Sequence, residues 1–257
     1  FIQAAADAGV DTLFVSVYQP TLNRLGHRMF QPGVINSFIR LAHKRRVQIF
    51  AAYGAPDWPQ LTARDDRTSF PVQRIEEVIS FNAQPRYADF DGVILDVEPE
   101  AAGSDLLDLY SLTGQVLRDR GSPMSLAVAV NAFWEYDVEY GGVTKPLFQH
   151  VFDLASNGLL QRVIVMAYRD NAADVLDLAS AELAYANQTG VQGTLLIGVE
   201  TRAGEPDAVT FYEEGPTALD AALATIRAEL GDTFAGIAIH NALDSYLNPF
   251  WRGSEVF

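Results

Sequence analysis

The chain contains no cysteine, which excludes disulfides, thiolate metal sites and cysteine nucleophiles at once. Basic residues are scarce: 18 Lys and Arg stand against 33 Asp and Glu, a net charge of −15. A surface of that sign repels phosphate backbones and anionic lipid, so neither nucleic acid nor a membrane is an expected partner. No apolar run approaches the ~20 residues needed to span a bilayer. Histidine is sparse as well. His27, His43, His150 and His240 are far apart in sequence, and of these His240 alone falls at a strand end. A metal-dependent hydrolase needs three or more clustered ligands, so no metal or cofactor is expected. His43 belongs to the basic stretch HKRR and reads as part of a solvated helix face.

What is present is a mixed globular composition, 49% hydrophobic and 20% charged over 257 residues, without linker or low-complexity tract. It is read as a single domain spanning 1–257. Short apolar, β-branched runs lie at 12–18, 47–54, 90–98, 125–133, 162–169, 194–200 and 236–240. Such runs are expected of parallel strands buried on both faces. Amphipathic stretches at 33–46, 71–84, 104–120, 146–157, 172–187 and 216–230 alternate with them. Pro71 and Pro216 sit at helix starts, and Ser104 reads as an N-cap. The opening FIQAAADAGV reads as the end of a helix stopped at Gly9, so one more strand is expected to precede Phe1. Seven strands and that one make eight, which predicts an α/β fold of the (β/α)8 barrel type. The rival doubly wound sheet would be expected to carry a Gly-rich phosphate loop after a strand, and none is present.

In such a barrel the chemistry sits at the carboxyl ends of the strands, and those ends are polar here. In Val93-Ile94-Leu95-Asp96-Val97-Glu98 the side chains alternate, so Val93, Leu95 and Val97 are expected towards the helices. Ile94, Asp96 and Glu98 then line the barrel. Two carboxylates sharing one face resist ionising together, which suits one of them to general acid work. Other ends agree: Tyr18 with Ser16, Asn131, Met166-Ala167-Tyr168-Arg169-Asp170, Glu200 and His240. Aromatics cluster in the adjoining loops: Tyr53 and Trp58, Phe133, Trp134 and Tyr136, Phe211 and Tyr212, Tyr246 and Trp251. Any one of these can simply anchor a loop. Beside a ring of carboxylates they suit a saccharide, whose C–H faces stack on aromatic rings. Tyr18, Tyr53, Trp58, Asn131, Trp134, Asp170 and His240 are the candidate substrate-binding residues.

The segment DGVILDVE resembles the active-site signature DGxDxDxE of glycoside hydrolase family 18, the chitinase and N-acetylglucosaminidase-like barrels. Asp91, Gly92, Asp96 and Glu98 match it, and Met166-Ala167-Tyr168 resembles the family's MxY segment. The resemblance implies that Glu98 is the acid, that Asp96 orients an N-acetyl group of the substrate, and that Tyr168 supports it. Ile94 stands where the signature has its middle acid, and His240 where the family usually has a Trp. A partial resemblance to clan A glycosidases rests on Val97-Glu98-Pro99 and Val199-Glu200. It implies Glu200 as a nucleophile, with the carboxylates about 5–5.5 Å apart.

Both resemblances assign the acid to Glu98 and leave its partner, Asp96 or Glu200, open. The expected function is hydrolysis of O-glycosidic bonds in a poly- or oligosaccharide. The alternative is a carbohydrate-binding barrel without catalysis. Acidic charge and loop aromatics lead us to expect a bacterial protein acting outside the cell or in its envelope. Oligomeric state, sugar and linkage are not legible.

Overall fold

The apolar runs form strands that pair in parallel, and the amphipathic stretches between them form helices. The computed structural model describes residues 1–19, 28, 29, 31–62 and 66–241. Its Cα trace divides into two units, Phe1–Val128 and Ala129–Phe257.

The first unit runs α1 (Ile2–Asp7), β1 (Thr12–Ser16), the short antiparallel pair β2 (Tyr18–Gln19) and β3 (Arg28–Met29), and α2 (Pro32–His43). It continues with β4 (Gln48–Tyr53), α3 (Phe70–Asn82), β5 (Gly92–Leu95), α4 (Ser104–Asp119) and the start of β6 (Ser125–Asn131). β1 pairs with β4, β4 with β5 and β5 with β6, all parallel. Val93, Leu95, Ile49 and Phe50 are essentially inaccessible, as are Ile39 of α2, Ile75 of α3 and Leu106 of α4. Burying each such side chain contributes about 1.5–3 kcal/mol against leaving it in water.

Two residues of the DGVILDVE segment have structural work that the sequence does not spell out. A Cβ at Gly92 would lie 2.3–2.6 Å from the Phe50 ring, and that ring in turn meets Phe14 edge-on at 5.4 Å. The glycine is therefore required for β5 to pass over a core aromatic. Asp91 Oδ2 accepts the Ile49 N–H at 2.7 Å and pairs with His43 Nε2 at 2.9 Å. His43, exposed with the rest of the HKRR stretch as expected, also fastens the end of α2 to the start of β5. Pro71 and Pro216 do open helices, where the missing N–H costs nothing. Ser104 does not cap α4: it is the first helical residue, Gly103 occupies the cap, and no side-chain cap bond forms.

The second unit begins with the end of β6 and an antiparallel hairpin, β7 (Asp137–Tyr140) and β8 (Val143–Pro146). Gly141 and Gly142 form its two-residue turn with φ of 61° and 83°, the left-handed pair that a tight hairpin demands. Then follow α5 (Leu147–Ser156), β9 (Arg162–Met166), α6 (Ala172–Leu178), α7 (Ser180–Thr189), β10 (Leu195–Glu200), α8 (Gly215–Leu230) and β11 (Gly236–His240). β10 pairs in parallel with β9 on one side and β11 on the other. The helix expected at 172–187 is two helices. Ala179 has φ −90° and ψ 6°, outside the helical well, and the chain restarts at Ser180.

α7 carries a costly residue. Glu182 is fully buried, and neither carboxylate oxygen has a hydrogen-bond partner on another residue. Burial, opposed by its own backbone N–H and reinforced by the charge of Glu135, pushes its pKa up from 4.5 to about 7. The unfolded chain therefore gives up this proton first. The stability it represents is complete below pH 4.5 and lost as pH rises through 7. Glu182→Gln is expected to be more stable than the parent by about 1–3 kcal/mol at pH 8, with a smaller difference at pH 5. Urea unfolding at the two pH values checks this, and equal differences at both would show a carboxyl that titrates normally.

Candidate active site

The candidate residues fall into two groups, one in each unit. In the first unit they follow the end of β5. Burial begins to alternate at the end of the strand: Leu95 and Val97 are inaccessible, while Asp96 and Glu98 are exposed. The two carboxylates therefore leave the same face of the chain, as the period-two pattern requires. Ile94, the position of the signature's middle acid, is buried at 5% exposure. Pro99 restricts Glu98 to extended backbone, which prolongs the alternation beyond the strand.

The backbone here is clamped. Asp96 N–H donates to the Tyr53 carbonyl at 2.7 Å, and a Cβ on Gly54 would lie 1.9 Å from the Asp96 carbonyl oxygen. β4 and β5 can approach this closely at their ends only because residue 54 is glycine. Tyr110 of α4 is fully buried. Its phenol is held far above its ordinary pKa, first by burial and then by the charges of Asp96 and Glu98. It is a neutral hydroxyl within the field of both carboxylates. In the sequence Tyr110 looks like one more apolar residue of SDLLDLYSL, and nothing there distinguishes it from packing.

Tyr53 and Trp58, expected as sugar-stacking residues, are 5% and 6% exposed. Their rings pack on each other at 5.7 Å, Trp58 meets Phe70 edge-on, and the Tyr53 hydroxyl donates to the Arg74 carbonyl. That is the arrangement of loop anchors, with the ring faces already taken by protein. The side chain of Tyr18, and all of Tyr246 and Trp251, lie outside the described residues.

In the second unit the polar residues gather at the ends of β9, β10 and β11. Glu200 and His240 are direct partners in the β10–β11 register. Their side chains meet, His240 Nδ1 to Glu200 Oε2 at 2.6 Å. Glu200 is buried, and its other oxygen accepts the backbone N–H groups of Thr201 and Arg202, each at 2.8 Å. The His240 ring lies nearly parallel to Tyr168, 15° between planes and 6.5 Å between centroids. Arg169 bonds the Tyr168 carbonyl at 2.7 Å and holds its guanidinium 5.7 Å from the centre of the Phe133 ring. Asn131 accepts the Phe133 N–H through Oδ1, and Asp170 accepts from the Asn171 amide. Trp134, like Phe211, is buried and serves as an anchor. Among the described residues of this unit the exposed aromatics are Phe133, Tyr136 and Tyr212, at 62%, 45% and 37% exposure. Among the described residues no three His, Asp or Glu gather as a metal site would need, and no helix is long and apolar enough to cross a membrane.

Solved structures of similar fold cover nearly the whole chain. The C-terminal domain of ChiA from Legionella pneumophila is 17% identical with a TM-score of 0.62, over 99% of this chain and 93% of that one. A family 18 chitinase from Cycas revoluta, in complex with (GlcNAc)3, is 14% identical with a TM-score of 0.61, over 93% and 90%. The fold is that of the family 18 glycoside hydrolases. It is a (β/α)8 barrel, the class expected from the strand count. The same family 18 fold includes a xylanase and α-amylase inhibitor protein, XAIP-I, in complex with trehalose, 14% identical with a TM-score of 0.61 over 99% and 92%. No protein-family model and no curated protein matches the sequence.

The Gly54 clamp is open to a direct check. Gly54→Ala forces the Asp96 carbonyl aside, with an expected loss of about 1–3 kcal/mol of stability in chemical denaturation. A variant as stable as the parent would show that β4 and β5 separate freely at this end.

Proposed function

We propose that the protein is a glycoside hydrolase acting on a poly- or oligosaccharide of 2-acetamido sugars, with Glu98 as general acid and then base. The observation that carries this reading is the exposure of Asp96 and Glu98 on one face at the end of β5, in the segment DGVILDVE, within a family 18 fold. Glu98 protonates the leaving oxygen. Asp96 orients the acetamido group of the substrate, whose carbonyl oxygen attacks the anomeric carbon, so configuration is retained. Water then opens that intermediate with Glu98 as base. The family resemblance assigns the acetamido group to Tyr168 as well. A site of action outside the cell or in its envelope goes with this proposal, as does a carbohydrate as the partner.

Clan A chemistry, with Glu200 as nucleophile, is less well supported. Both Glu200 oxygens already accept hydrogen bonds, and the residue is 4% exposed. A second reading, a binding barrel without turnover, is favoured by one observation: an inhibitor protein shares the fold. Fold alone does not choose between them.

The test is Glu98→Gln assayed on N-acetylglucosamine oligomers. We expect kcat to fall about 10²–10⁴-fold while thermal unfolding and oligosaccharide affinity by calorimetry stay at parental values. Parental turnover by the variant would reject Glu98 as the acid. Parental protein that binds the oligomers without cleaving them at any pH would favour the binding barrel.

A further inference from the structure

We propose that Glu200 is a positioning residue which, through His240, sets the plane of the Tyr168 ring. The inference rests on the hydrolase reading for its kinetic consequence, though its geometry stands independently of it. Glu200 is among the few buried charged side chains of the second unit, and its surroundings are complete. Oε1 takes two backbone N–H groups and Oε2 takes His240. A carboxylate only accepts, so Nδ1 of His240 carries the hydrogen and the imidazole is held as one tautomer in one plane.

The main chain beneath the ring is held too. Thr201, fully buried, donates its hydroxyl to the carbonyls of His240 and Asn241 at 3.1 and 3.3 Å. The imidazole side chain is itself half exposed. With so little packing around it, the ring is held by its hydrogen bond to Glu200.

Against this oriented ring lies Tyr168, in the offset parallel geometry that aromatic pairs prefer. Tyr168 is just past the last residue of β9. Arg169 fixes its carbonyl, and its ring rests on the imidazole of His240. Glu200 therefore acts at two removes: carboxylate to imidazole, imidazole to phenol ring, phenol to substrate. A nucleophile would need an oxygen exposed towards the anomeric carbon. Glu200 instead has its lone pairs directed at three N–H groups.

The experiment compares Glu200→Gln, Glu200→Ala, His240→Ala and His240→Phe with the parent. ¹⁵N-edited NMR of the imidazoles reads the first link without reference to activity. The parent is expected to hold the Nδ1–H tautomer. In Glu200→Gln the amide oxygen keeps the Thr201 and Arg202 bonds, its nitrogen donates to Nδ1, and His240 switches to Nε2–H. An imidazole unchanged in tautomer in both Glu200 variants would overturn the inference.

On N-acetylglucosamine oligomers, Glu200→Ala and His240→Ala are expected to lose about 10–100-fold in kcat with KM within a few-fold of the parent. His240→Phe, which restores a flat ring beneath Tyr168, should recover part of the His240→Ala loss. Azide added to Glu200→Ala should neither restore the rate nor yield a glycosyl azide. Formation of that product would identify Glu200 as the nucleophile and overturn the proposal. If the parent turns nothing over, the hydrolase reading fails by itself. The positioning inference is then judged by the NMR and by calorimetry of the same oligomers. Parental affinity in both Ala variants would reject it, and weakened binding partly recovered by His240→Phe would sustain it.

Discussion

Parallel pairing without sideways slip places the carboxyl ends of neighbouring strands side by side, and every functional arrangement in the two units depends on it. In the first unit, pairing of β4 with β5 brings Gly54 onto the backbone of Asp96. In the second, pairing of β10 with β11 puts Glu200 opposite His240. A slip of one residue in either pair would turn the same side chains to the other face. The register is defended by the core rather than by the polar residues. Phe50 against Gly92 and the inaccessible Ile49, Val93 and Leu95 leave no room for an alternative. The Asp91–His43 pair adds a hydrogen-bonded stop at the start of β5.

On this framework the two groups of polar residues are built differently. Asp96 and Glu98 stand exposed, and their charge reaches the buried, neutral phenol of Tyr110. Glu200 is submerged, saturated with N–H donors, and reaches the surface through the imidazole of His240. An exposed carboxylate can exchange protons with a ligand, whereas one saturated with donors is suited to holding other groups in place. The family 18 fold is used by chitinases and by an inhibitor protein. The proposed division into reactive and positioning carboxylates therefore bears more on activity than the barrel does.

Much of the fold was legible. Parallel strands buried on both faces read as unbroken β-branched runs, so the seven runs coincide with seven strands, with ends displaced by at most three residues. The hairpin of β7 and β8, which lies outside the expected strands, carries a short-range signal of its own in the Gly141-Gly142 pair. The break at Ala179 had no such mark, since alanine favours the helix that it interrupts. Aromatic loop residues were the least legible. Tyr53, Trp58 and Trp134 are buried, and Phe133 and Tyr136 exposed, yet all five look alike in a sequence. Whether a ring faces solvent depends on how the whole loop folds back, not on its neighbours in the chain.

By itself the sequence determined that Asp96 and Glu98 share a face, because a strand repeats every two residues and that rule is purely local. It likewise determined the alternation of strand and helix, since burial on both faces of a strand and on one stripe of a helix leaves different patterns. Only the tertiary structure decided that Glu200 meets His240, 40 residues further on, that His43 meets Asp91, and that Glu182 is shut away without a partner. These are contacts between elements remote in sequence. Strand register and helix docking set them by the fit of apolar side chains across whole surfaces, and no short stretch of chain contains that information.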